Sequence, residues 1–256
     1  MMTPAQSPSG RIETLNGVNI YFETHGTGEP LILLHGFSGS SQDWTQLGLI
    51  ADWSASFQLI VPDLRGHGRS SILSRPFRHR DAADDIIALL DRLGIGTFKG
   101  LGISGGGNVL LHLATKQPER AKAMVLVSAT SYFPAQARPI MRQYAASLKE
   151  QDWEILRQRH PGGDAQIQAI LDSSASFADS YDDLTFTPPH LATIQAKTLI
   201  VQGDRDFLYP VEISVEMARA IPKSSLWIVP NAGHGSVFGK KWQEFVRTAV
   251  EFLRES

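Results

Sequence analysis

Short runs of apolar residues alternate with longer segments in which apolar positions recur every three or four residues, and this rhythm covers most of the chain. The short runs are Leu31 to Leu34, Phe57 to Val61, Thr97 to Leu101, Lys122 to Val127, Lys197 to Val201 and Ser225 to Val229. Apolar stretches of this length predict strands buried on both faces, as in a parallel sheet. Arg11 to Leu15 and Val18 to Thr24 flank Asn16-Gly17, a dipeptide suited to the positive φ values of a type I′ turn, and predict a hairpin at the start of the sheet. Between the strands, helices are predicted at Gln42 to Asp52, Arg80 to Leu93, Gly106 to Lys116, Val211 to Ile221 and Lys241 to Arg254. In the second of these, Ala83, Ile86, Ile87, Leu90 and Leu93 form one apolar stripe that faces a core. The alternation predicts an α/β domain with a mostly parallel eight-stranded sheet flanked by helices.

One interval breaks the rhythm. Tyr132 to His190 has no convincing strand, only helix-like pieces at Ile140 to Arg159 and Ala165 to Phe177 around the breaker His160-Pro161-Gly162-Gly163. An insertion of this size after the sixth strand predicts a helical cap over 132–190, on a core made of 11–131 and 191–256. Ligands of open α/β sheets bind outside the carboxyl ends of the strands, so a cap placed there roofs the site. Residues 1–10 are rich in Pro and Ser, lack the pattern of a secretory signal, and are expected to form a flexible tail.

Composition narrows the partner. The 256 residues are 42% apolar and carry a formal charge of −2, so no overall field draws the protein to nucleic acid or anionic lipid. The expected partner is a small molecule. With no cysteine there is no disulfide, thiolate nucleophile or Cys-ligated metal, and the redox compartment is left open. No apolar run reaches the roughly 18 to 20 residues that cross a bilayer. A soluble, cytoplasmic protein of undetermined oligomeric state is the expectation.

The stretch GLGISGGG, Gly100 to Gly107, fits two patterns. From Gly100 it is G-x-G-x-x-G, a dinucleotide turn; from Gly102 it is G-x-S-x-G, a nucleophile elbow. The first requires an acidic residue about 20 positions on, at the end of the next strand. That strand ends instead in Ser128-Ala129-Thr130, and the turn follows the fifth strand rather than the first. The second requires an acid and then a histidine later in the chain. Gly203-Asp204-Arg205-Asp206 follows one strand and Asn231-Ala232-Gly233-His234 follows the last, which brings all three groups to one edge of the sheet. A serine hydroxyl attacks only when an imidazole takes its proton, and the imidazole needs a carboxylate to fix its tautomer. Ser104 is thus the expected nucleophile, His234 the base and then acid, and Asp206 or Asp204 the orienting carboxylate. The oxyanion donors are expected to be the backbone N–H groups of Gly105 and Phe37. Gly102, Gly105 and Gly106 are read as allowing the sharp turn and close helix packing.

In LLHGF (33 to 37), VPDLRGHGRS (61 to 70), GISGGG (102 to 107), VQGDRDFLYP (201 to 210) and NAGH (231 to 234), the chain resembles the α/β-hydrolase superfamily, in its capped, esterase-like branch. The resemblance runs from Ile12 to Leu253. It implies the α/β-hydrolase fold, favours Asp206 over Asp204 as the triad acid, and gives Arg65, His67 and Arg69 a loop-fixing role. Two departures stand out: Gly105 where relatives often carry a larger residue, and no acidic residue and proline after His234. The implied function is a serine hydrolase cleaving a carboxylic ester or lactone through an acyl-enzyme, without cofactor or metal. Alternatives are a carbon-carbon bond hydrolase of ring-cleavage products, a cofactor-free perhydrolase, and a slow-turnover ligand receptor on the same fold. Phe37, Phe207, Trp153 and Phe238 are expected to line an apolar acyl pocket. His25, His79, His112 and His160 are read as structural.

Overall fold

The computed structural model describes residues 10–255. The tail expected over 1–10 lies, apart from Gly10, outside the described residues. Asn16 and Gly17 take φ of 48° and 80° and turn β1 (Arg11–Leu15) onto β2 (Val18–His25), with Leu15 opposite Val18. Strand β2 pairs antiparallel with β4 (Phe57–Pro62). From there β3 (Glu29–Leu34), β5 (Phe98–Ile103), β6 (Ala121–Val127), β7 (Lys197–Gly203) and β8 (Ser224–Val229) continue in parallel. The sheet has eight strands in the order β1-β2-β4-β3-β5-β6-β7-β8.

Side chains of a strand alternate between faces, so each apolar run feeds two cores. Ile32, Leu34, Met124 and Leu126 pack on one face with Ile86, Leu90, Val109 and Met217, from α3 (His79–Arg92), α4 (Gly105–Lys116) and α9 (Val211–Ala220). Leu31, Leu33, Val125 and Val127 pack on the other with Trp44, Leu49 and Trp53. There Phe245, Ala249 and Leu253 recur every four residues along α10 (Trp242–Arg254). No helix among the described residues is long and apolar enough to cross a membrane.

Two predicted helices are broken. Gln42 to Asp52 is a pair, α1 (Gln42–Gln46) and α2 (Leu49–Trp53), separated where Gly48 takes φ of 74°, a left-handed residue that stops a helix. Ile140 to Arg159 is α5 (Ala137–Ser147) and α6 (Glu150–Arg159). Here Lys149 is extended and its N–H donates to Asp152 Oδ2 at 2.8 Å, which starts a new helix. Helices α7 (Gly163–Phe177) and α8 (Pro188–Leu191) complete the stretch between β6 and β7. Its only strand-like contact among the described residues is a single bridge between Tyr132 and Thr185.

His160, fully buried at the end of α6, ties this helical stretch to the loops beyond β3 and β4. Its Nε2 donates to Ser38 O at 3.1 Å and its Nδ1 accepts from Gly68 N at 2.9 Å. Both bonds require the neutral ring, and burial pulls its pKa down to about 4. The unfolded chain takes up a proton near pH 6.5 that the folded chain refuses. Stability is therefore full above that pH and falls as pH drops toward 4. His112, also held at about 4 by burial, acts in the same direction. The thermal midpoint, followed by circular dichroism, is expected to decline through this window, and to decline less steeply in His160→Asn.

Candidate active site

Strand β5 ends at Ile103 and α4 begins at Gly105, leaving Ser104 between them with φ 51° and ψ −115°. A residue with a side chain rarely holds a positive φ unless its surroundings impose it. Here the backbone packing does. A Cβ at Gly102 would lie 2.5 Å from the Gly106 carbonyl, and one at Gly106 would lie 2.2 Å from Leu34 O. Gly105 differs from the grouping expected for it: a Cβ there would meet Phe37 N at 3.3 Å and His79 Nε2 at 3.5 Å, close but sterically possible. Gly102→Ala and Gly106→Ala are therefore expected to lose about 1 to 3 kcal/mol or more of stability, and Gly105→Ala much less. Urea denaturation measures the difference.

His234 lies in the loop after β8. Its Nε2 is 2.9 Å from Ser104 Oγ and its Nδ1 is 2.8 Å from Asp206 Oδ2. Asp206 Oδ1 accepts the N–H groups of Leu208 and Tyr209 at 2.8 and 3.0 Å, and Gln202 Nε2 donates to Oδ2 at 2.9 Å. Burial would raise the Asp206 carboxyl, but His234 and these N–H donors outweigh it and hold it below the ordinary carboxylate range. Asp204 is exposed and accepts the Ala232 N–H at 3.2 Å, bracing the loop that carries His234 without reaching its ring.

Ser104 and His234 open on a cavity of about 340 Å³. Phe37, Phe133, Phe177 and Phe207 wall it, while Ile140, Met141 and Tyr144 of α5 reach it from the helical stretch. Tyr144 OH meets Ser38 Oγ at 3.0 Å across this contact. The N–H groups of Phe37 and Gly105 have no acceptor among the described residues; Gly105 is the first residue of its helix, where N–H groups lack intrahelical partners.

Two of the four expected pocket aromatics lie elsewhere. Trp153 joins Leu156, Ile167 and Leu171 in a small separate cluster, because α6 turns its apolar face to α7. Phe238 stacks on Trp242 at 5.8 Å and lines a neighbouring cavity of about 380 Å³ with Trp44 and Arg159. Phe37 and Phe207 do line the Ser104 cavity. Arg65, His67 and Arg69 fix their loop: Arg65 holds Asp85 with two bonds of 2.6 and 2.8 Å, His67 Nδ1 donates to Arg65 O, and Arg69 reaches Glu23. Several cavity residues were not legible, His79 among them. His79, expected to be structural, lines the cavity with its ring held by Asp183, 104 positions away; no local pattern links two residues so distant.

Residues 29–151 match a family model described as the alpha/beta hydrolase fold, and 184–255 match one described as TAP-like protein. The chain belongs to the α/β-hydrolase superfamily. It is 26% identical to a 2-hydroxymuconate semialdehyde hydrolase of Pseudomonas putida, an alignment covering 100% of this chain and 98% of that one. It is 29% identical to a carboxylesterase of Bacillus subtilis over 80% of this chain and 73% of that one. The enol-lactonase structure from Burkholderia xenovorans shares the fold with a TM-score of 0.78 at 19% identity, covering 95% of this chain and 100% of that one.

Proposed function

We propose that this α/β-hydrolase is a serine hydrolase that cleaves a small carboxylic ester or lactone through an acyl-enzyme. The observation that carries the reading is the unbroken hydrogen-bond chain from Ser104 through His234 to Asp206 at the floor of a largely apolar cavity. In this reading Ser104 Oγ attacks the carbonyl carbon and its proton passes to His234 Nε2. The imidazolium that forms is countered by Asp206. The carbonyl oxygen, now an oxyanion, accepts from Phe37 and Gly105 N–H, with the N-terminal end of α4 adding its dipole. Collapse breaks the ester C–O bond, and His234 returns the proton to the leaving alkoxide. Water then attacks the acyl carbon, gives its proton to His234, and releases the acid as Ser104 recovers its hydrogen.

The stretch 132–190 acts as the cap in this scheme. Its Ile140, Met141 and Tyr144 close the cavity over the nucleophile, and a drier site strengthens the electrostatic terms of attack. The match to the carboxylesterase supports ester cleavage. A second reading, hydrolysis of a carbon-carbon bond in a vinylogous diketone, is favoured by the full-length match to the semialdehyde hydrolase. The expected result is saturable hydrolysis of p-nitrophenyl butanoate, with slower consumption of a coloured ring-cleavage product. The opposite ranking would favour the second reading.

A further inference from the structure

A second histidine-carboxylate pair borders the cavity, with the histidine in its wall. His79 opens α3 with a side chain 2% exposed, and its Nδ1 donates to Asp183 Oδ2 at 2.8 Å. The same carboxylate accepts the backbone N–H groups of His79 and Arg80, at 2.9 and 3.1 Å. Asp183 is therefore a fixed acceptor, and it holds the His79 ring as Asp206 holds that of His234. The bond keeps a proton on Nδ1 and turns Nε2 the other way. Nε2 has no hydrogen-bond partner among the described residues, while the ring is a wall of the Ser104 cavity. Phe77, Phe133 and Phe177 surround it with ring centroids 5.2, 5.8 and 5.1 Å away. That nitrogen can accept from, or when the ring is protonated donate to, a group that enters the cavity.

Its position names the part of the ligand. A side chain at Gly105 would touch His79 Nε2 at 3.5 Å and Phe37 N at 3.3 Å. The space emptied by that glycine thus joins the imidazole to the donor assigned to the oxyanion. An acyl carbonyl held there extends its next carbons beside His79.

We propose that His79 is a substrate-contacting specificity residue that hydrogen-bonds an oxygen substituent on the acyl group, so that the site favours short oxygenated acyl esters over plain hydrocarbon ones. The inference rests on Ser104 being the nucleophile. A neutral imidazole accepts from a hydroxyl at Nε2, and an imidazolium donates to an oxo group; two substrates distinguish these.

The test uses the p-nitrophenyl esters of butanoic, β-hydroxybutanoic and β-oxobutanoic acid, with each kcat/KM divided by the ester's rate of hydroxide hydrolysis. One oxygenated ester is expected to exceed butanoate by about five- to tenfold in the wild type, the yield of one hydrogen bond. His79→Asn keeps a donor for Asp183 but lacks the Nε2 position, and collapses the ratio to about one; His79→Gln, whose amide reaches that position, restores part of it. A wild-type ratio near one overturns the proposal, whether or not the variants fold. So does a His79→Asn variant that slows all three esters alike. Full turnover by Ser104→Ala would instead remove the reading beneath it, so the two failures are distinct.

Discussion

Ser104→Ala is expected to lose about 10⁶-fold in kcat on p-nitrophenyl butanoate, the scale seen when a serine nucleophile that works as a unit with its base is removed. The residual rate comes from binding and the two N–H donors, which the substitution leaves in place. Stability is expected to hold. Ser104 Oγ meets only His234 among the described residues, and the strained backbone at φ 51° is imposed by the packing of Gly102 and Gly106 rather than by the hydroxyl. A variant that folds with an unchanged urea midpoint and retains more than about a tenth of wild-type turnover would place the chemistry elsewhere.

The second large effect separates two aspartates that stand two positions apart. Asp206→Asn is expected to lower kcat by about 10⁴-fold, because an amide does not hold the imidazole in the tautomer that leaves Nε2 free to take a proton. It also removes the charge that counters the imidazolium. Asp206 is held below the ordinary carboxylate range despite its burial, so that charge is present throughout the neutral range. Asp204→Asn is expected to change kcat by less than about threefold, since its one bond to the Ala232 N–H survives with an amide oxygen. Steady-state kinetics on the two variants decide, and a reversed order would transfer the orienting role to Asp204.

The sheet was legible because buried strands read as unbroken apolar runs, and the Asn16-Gly17 turn announces itself. The meeting of Ser104, Asp206 and His234 at one edge follows from strand direction, which the pattern of runs predicts. Choosing between Asp204 and Asp206 needed the resemblance, and the geometry supplies its physical basis: the turn after β7 brings the Leu208 and Tyr209 N–H groups onto Asp206 and aims it at His234. A local break without a breaker residue, and features set by long-range packing, were not legible. The break between α5 and α6 carries no Gly or Pro, and the cap bond from Lys149 N to Asp152 makes it. Apolar spacing puts Trp153 on a buried face without saying that α7, and not the cavity, is what that face meets. His79 sits beside charged residues in sequence and is drawn into the cavity by a carboxylate from the far end of the helical insertion. Of the three elbow glycines, only the structure shows that two are required by backbone contacts and that Gly105 leaves usable space.

The central claim is that Ser104 carries the acyl group. Incubation with a p-nitrophenyl alkylphosphonate, followed by intact mass and peptide mapping, tests it most directly. The expected result is one adduct per chain on Ser104, formed in step with loss of esterase activity and strongly slowed in His234→Ala. Complete loss of activity with the adduct on another residue, or full activity in protein labelled at Ser104, would contradict it.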